Sequence, residues 1–387
     1  MFIGKKFQRA ALQRRPFDGS LPPVSIRMRS RIIYEATAPF VISETSQLSQ
    51  LAKMTVLSID TGDLAIIQKF ASTGLITDAT TNPLFVSQTA ARGSEPEYAA
   101  LINSAVASAR QSSNHASGSK PSPEAINLAI DHLSVNLGRK ILSIVPGYVS
   151  TEVDIRLSYD TAASEARARQ IITLYEAAGV NRERILIKLA GTWEGIRCAE
   201  ALEKDGIRTN ITLVFGPCQA IAAAQAGCTL ISPFPGRVLE WVKADNPKGP
   251  QKFDPMDDPG VVACRKMYNY FRKHGHSTIC MPASWRSSSG EDLLDEIRAL
   301  AGTDRMTIPP PLLEQLASCQ QPLPRVLTPE TAVAECTEDG TVLGEAGFRW
   351  QLATDGAAND KLAAGIRAFA GDTARLVAAL EAHPGWK

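Results

Sequence analysis

Short apolar runs alternate with helical patterns along most of the chain. The runs cover residues 56–60, 75–78, 141–145, 185–189, 210–214, 229–232, 278–281 and 306–308. Runs this short, bounded by turn residues and separated by helical stretches, predict parallel strands in βα units. The intervening segments carry helix signals. Thr161 is expected to cap a helix over 161–178, with Ile171, Ile172, Leu174, Tyr175 and Ala178 as its apolar stripe and Gly179 as its stop. A second helix is expected over 194–204, with Gly206 just beyond. Residues 111–123, rich in Ser, Asn, Gly and Pro, read as a loop, and about 348–380 as helix packed outside the barrel. Eight strands with helices between them favour an α/β fold of one (β/α)8 TIM-type barrel with additional C-terminal helices over an open doubly wound sheet.

The length of 387 residues suits such a barrel with additions. Residues 1–45 break the pattern. Lys5, Lys6, Arg9, Arg14, Arg15, Arg27, Arg29 and Arg31 meet only Asp18 and Glu35 as opposing charge. A basic, acid-poor start is a targeting segment, a tail, or sequence ahead of a later start such as Met28. The expected organisation is therefore a basic extension over 1–45 and a barrel over 46–387, working in the cytoplasm, with organelle targeting through 1–45 as the alternative.

Composition removes several function classes. A net charge of +1 gives no global field for nucleic acid, so any anion site is local. No run approaches the ~20 apolar residues of a membrane span. The seven cysteines show no paired spacing and read as buried thiols in a reducing compartment. His274 and His276 have no acidic or cysteine neighbour, so they read as a solvated helix end and no metal is expected. Neither a dinucleotide nor a P-loop fingerprint occurs.

The polar residues stand at the ends of the runs. Asp60 closes the first and Thr80-Thr81-Asn82-Pro83 follows the second; Glu152 comes after the third. Lys188 lies inside the fourth, Asn210 and Thr212 inside the fifth, and Ser232 ends the sixth; Ser284 and Arg286 follow the seventh. In a barrel all of these converge on one mouth. Lys188 sits within Ile-Leu-Ile-Lys-Leu-Ala. Desolvation there favours the neutral amine, which adds to a carbonyl and forms an imine; the alternative is a lysine that snorkels to solvent. Asp60 and Glu152 are the carboxylates available for proton transfer, or else a turn cap and a helix-start acid. Arg237 and Arg286 suit a phosphate near the last strands, or are loop arginines at the surface.

These residues stand in strings that resemble the transaldolase family: Asp60-Thr-Gly-Asp63, Thr77-Asp-Ala-Thr-Thr-Asn-Pro83, Ser150-Thr-Glu-Val-Asp154, Ile185-Leu-Ile-Lys-Leu-Ala190, Asn210-Ile-Thr-Leu213, Leu230-Ile-Ser-Pro-Phe234 with Gly236-Arg237, and Ala283-Ser284 with Arg286. The likeness runs from about 46 to 380. It implies that Lys188 forms the Schiff base and that Asp60 takes the proton of the donor C4 hydroxyl. It also implies that Glu152 and Thr212 position the water that shuttles protons. Asn82 and Asn210 would hydrogen-bond the ketol; Ser232, Arg237, Ser284 and Arg286 would contact sugar hydroxyls and phosphate, and Phe234 would shape the pocket.

The implied reaction passes a dihydroxyacetone unit from sedoheptulose 7-phosphate or fructose 6-phosphate to glyceraldehyde 3-phosphate or erythrose 4-phosphate, in the non-oxidative pentose phosphate pathway. The implied partners are sugar phosphates, with no cofactor, and a homodimer is an arrangement the resemblance allows. The chain departs from the family pattern at Leu84, Gly216-Pro217, Pro282 and Trp285; Gly216 and Trp285 are expected near the mouth. The rival readings are a Schiff-base aldolase that releases free dihydroxyacetone, a pyridoxal-phosphate enzyme and a catalytically dead barrel.

Overall fold

The computed structural model describes residues 41–113 and 119–387. Its strands are β1 (Val56–Asp60), β2 (Ile76–Thr80), β3 (Val149–Glu152), β4 (Ile185–Ala190), β5 (Thr209–Val214), β6 (Leu230–Pro233), β7 (Ile279–Cys280) and β8 (Arg305–Ile308). They pair in parallel in the order β7-β6-β5-β4-β3-β2-β1-β8. Parallel neighbours require a crossover, and the helices between strands supply it. The ring closes between β7 and β8 through single bonds: Thr307 N–H donates to Pro282 O at 3.0 Å and the Trp285 indole donates to Thr307 O at 2.7 Å. This is the expected (β/α)8 barrel.

Two sequence expectations fail, each for a physical reason. The third strand is not 141–145. That run finishes the helix Pro123–Leu142 and the turn after it. Leu137, Ile141 and Val145 are all buried, and their spacing of four is helical. The real strand is polar, Val-Ser-Thr-Glu, because Thr151 finds a buried partner in the Tyr175 hydroxyl at 2.6 Å. The second failure concerns the C-terminal helix Gly356–Glu381. It does not pack outside the barrel. Leu362 and Phe369 pack with Ala190, Leu213, Phe234 and Ala283, residues at or just beyond the carboxyl ends of β4 to β7, so the helix lies over the mouth.

Smaller differences follow the same logic. Asp160, not Thr161, caps the helix Thr161–Ala177, accepting from Ala163 N at 2.9 Å. Gly179 ends it at φ +77°, in the left-handed region. The helix Pro96–Ser112 extends two residues into the expected loop. Residues 1–40 and 114–118 lie outside the described residues, and with them nearly all of the expected basic extension. Thr45, at its end, is tied down by Gln50 Nε2 donating to its carbonyl at 2.7 Å.

Candidate active site

Strand register builds the centre of the site. Glu152 pairs with Lys188 across β3 and β4, and Lys188 with Asn210 across β4 and β5. Residues in one row of a parallel sheet share a face, so three strands present carboxylate, amine and carboxamide side by side. Thr212, two residues beyond Asn210, shares that face. Lys188 is 4% exposed. Its Nζ lies 3.3 Å from Glu152 Oε2 and donates to Thr81 O at 3.4 Å. Asn210 accepts from Ser232 Oγ at 2.9 Å and donates to Ser150 Oγ at 3.0 Å, so both ends of its carboxamide are oriented.

The carboxylates are held unlike ordinary surface acids. Burial pushes Glu152 up to about 7, against the pull of Lys188, and the charges of Asp154 and Asp372 add to the rise. Burial pushes Asp60 up to about 6, against Lys188 and Arg237. Acids displaced into this range exchange protons near neutrality. Among the described residues, Glu152 Oε1 and Thr212 Oγ1 have no hydrogen-bond partner in the protein, while Oε2 faces Lys188. Buried oxygens of this kind serve water or substrate.

The other half of the mouth is cationic. Arg237 lies over the Phe234 ring at 5.0 Å, and Phe234 meets Phe215 edge-on at 5.7 Å. Arg286 is held by Glu240 Oε1 at 2.6 Å and by its own backbone N–H, which donates to Glu296 Oε2 at 2.7 Å. Arg237 is pushed below its ordinary value, first by burial and then by the charge of Arg286. Two guanidiniums close enough to oppose each other make a site for a dianion. Gly236 permits the approach: a Cβ there would lie 2.4 Å from Ser284 O. Ser284 itself takes φ +67°, a backbone strain typical of binding sites.

Asp60, Glu152, Lys188, Asn210, Thr212, Ser232, Phe234, Arg237, Ser284 and Arg286 thus gather at one end of the barrel. Asn82 is more constrained than expected. Its Oδ1 caps the helix Pro83–Ala91, accepting from Phe85 N at 3.1 Å, which orients the carboxamide and leaves its Nδ2 to serve a ligand. One departure from the family pattern turns away from the mouth and another lies beneath the helix that covers it. Trp285 is 5% exposed and seals the β7–β8 gap. Gly216 gives room to the start of the C-terminal helix, since a Cβ there would lie 2.7 Å from Asp355 Oδ2.

Two residues were missed in the sequence. Glu296 is fully buried and pushed up to about 9 by burial; Phe369 comes from the helix read as remote. Glu296 looks like a surface acid in Asp295-Glu296, and nothing local signals its burial. Among the described residues no group of three or more His, Cys, Asp or Glu could hold a metal, and no helix is long and apolar enough to cross a membrane. His274 and His276 flank Tyr270, at 4.6 and 5.4 Å.

The sequence model of the transaldolase/fructose-6-phosphate aldolase family matches residues 57–380. Transaldolase A of Pasteurella multocida (strain Pm70) is 46% identical over 87% of this chain and 98% of its own length. The transaldolase of Cellvibrio japonicus (strain Ueda107) is 46% identical over 86% and 97%, and that of Yersinia pseudotuberculosis serotype O:3 (strain YPIII) 47% over 86% and 97%. With this match over nearly the whole barrel, the chain belongs to the transaldolase/fructose-6-phosphate aldolase family.

Proposed function

We propose that this chain is a transaldolase that carries the dihydroxyacetone unit as a Schiff base on Lys188. The observation that carries the reading is the buried Glu152–Lys188 pair, 3.3 Å apart and set by strand register. The amine adds to the C2 carbonyl of sedoheptulose 7-phosphate or fructose 6-phosphate. Glu152 and Thr212 hold the water through which the carbinolamine loses its hydroxyl, leaving a protonated imine. Asp60 takes the C4 hydroxyl proton and the C3–C4 bond breaks, its electrons passing to the imine nitrogen. The aldose phosphate leaves. Glyceraldehyde 3-phosphate or erythrose 4-phosphate then enters, the steps run in reverse, and water frees the new ketose. Asn82 Nδ2, Asn210 and Ser232 hold the ketol hydroxyls; Arg237, Ser284 and Arg286 hold the phosphate, and Phe234 shapes the pocket between them.

The test is borohydride reduction in the presence of fructose 6-phosphate. A covalent adduct on Lys188 is expected, absent in Lys188→Ala, and no adduct in the native protein sinks the reading. Flux separates the aldolase alternative, which the family description also names: transfer to erythrose 4-phosphate is expected to outrun release of free dihydroxyacetone, and dominant release would make the chain an aldolase. The resemblance also carries a cytoplasmic homodimer, and light scattering on the purified protein reads the dimer.

A further inference from the structure

We infer that Phe369, on the C-terminal helix, is a specificity-determining residue: its ring faces the Lys188 nitrogen and favours passing the three-carbon unit to a sugar-phosphate aldehyde over losing it to water. This rests on the reading of Lys188 as the imine-forming residue. The ring centroid lies 5.9 Å from Nζ, within the ~6 Å over which an aromatic face attracts a cation. Phe369 is 7% exposed and packs with Leu213, Phe234 and Ala283, so it is a wall of the site. Its placement is enforced. Leu213 leaves ordinary strand geometry at φ +56°, and Gly365, one turn before Phe369, receives it. A Cβ at 365 would lie 2.6 Å from Leu213 Cδ2, so a larger residue there would force the Leu213 side chain or the helix to shift.

The chemistry gives the ring two tasks. The protonated imine is a cation, and a ring facing it stabilises it where water is excluded. After C–C cleavage the bond electrons rest in a neutral enamine, which has two fates. It can attack an aldehyde carbon, returning the electrons to a new C–C bond while the aldehyde oxygen takes a proton from Asp60. Alternatively, its carbon takes a proton from water; water then adds across the C=N bond, and free dihydroxyacetone and the amine separate. The second fate needs a proton donor at the enamine while it waits. The water of imine formation belongs to Glu152 and Thr212 on the strands; the hydrocarbon face of Phe369 covers the helix side.

Phe369→Leu tests this in the full-length protein. The ratio of dihydroxyacetone released to unit transferred is expected to rise by about 10-fold. Borohydride trapping at fixed fructose 6-phosphate should fall by about 2- to 30-fold, the range a cation–ring contact spans from exposed to desolvated. Phe369→Tyr keeps the aromatic face and recovers most of the ratio. Leu380→Val, which loosens the same helix at a buried position near its end, keeps the native ratio. A native ratio in folded Phe369→Leu, or an equal rise in Leu380→Val, overturns the inference and leaves the Schiff-base reading standing. Absence of trapping in the native protein instead removes the reading beneath it.

Discussion

The two sides of the mouth are held in different ways. On β3, β4 and β5 the reactive groups belong to a hydrogen-bonded ladder, and Glu152, Lys188 and Asn210 are spaced by it. Beyond β6 and β7, Arg237 stands in the first turn of the helix Pro235–Asp245 and Ser284 and Arg286 in a loop, placed by contacts between segments: Gly236 against Ser284 O, Glu296 under the Arg286 N–H, and Asp258 accepting from Ser288 Oγ at 2.6 Å. Bond making at a nitrogen tolerates little displacement, and a sheet is the stiffer mount. Phosphates on donors and acceptors of different length need a site that can give, and loops supply it. The groups proposed for the chemistry are on strands here, and those proposed for the phosphate lie beyond the strand ends.

Substitution can break that division, and the largest effect belongs to the ladder. Glu152→Gln keeps the shape and removes the proton carrier, so kcat is expected to fall by about 10²–10⁴ with KM little changed. In the native protein, activity that requires Asp60 and Glu152 as carboxylates rises with pH through about 6 and 7. An unchanged pH–rate profile in Glu152→Gln would remove Glu152 from proton transfer.

Arg286→Ala strikes the loops. A lost charge-assisted contact of about 1.5–3 kcal/mol lowers kcat/KM for phosphorylated ketoses by about 10- to 100-fold. With unphosphorylated fructose the loss is expected to disappear, and an equal loss there would place Arg286 outside phosphate binding.

The smallest effect sharpens the loop side. Glu296 is pushed from 4.5 up to about 9 in the fold, so the folded state holds its proton more tightly than the unfolded chain. That contribution to stability is complete below about 4.5 and is lost as pH rises toward about 9. Glu296→Gln keeps an acceptor for the Arg286 N–H and cannot ionise. A higher melting temperature than the native protein at pH 8, with the gap closing near pH 5, is expected in thermal scans. KM should move by no more than about 2-fold, as one retained neutral hydrogen bond implies. A gap independent of pH would mean that Glu296 is not buried as a proton-binding acid.

The barrel was legible because β4, β5 and β6 are short apolar runs that no other structure explains as well. β3 was hidden, since Ser150, Thr151 and Glu152 face hydrogen-bonding or reacting partners, while the buried end of a helix at Ile141 and Leu142 mimicked a strand. Of the site, the residue types could be read from the strings, but not their spacing. That Glu152 stands opposite Lys188 is a fact of register between strands separated by a helix. Phe369 was illegible because apolar periodicity marks a buried face without saying what it faces. The same holds for Glu296, which is buried against the loop around Arg286 and not signalled by its neighbours in sequence.

The β7–β8 closure has a consequence for how the barrel yields. β7 is two residues long, and beyond it only isolated bonds such as Thr307 N–H to Pro282 O span the gap. A cylinder under load opens along its least-stitched line, and amides there exchange with solvent before those of β4 and β5. Ser284 and Arg286 begin immediately past that line. The line along which the cylinder yields first and the site proposed for the phosphate are therefore neighbours, while Lys188 stands on the far side of the ring.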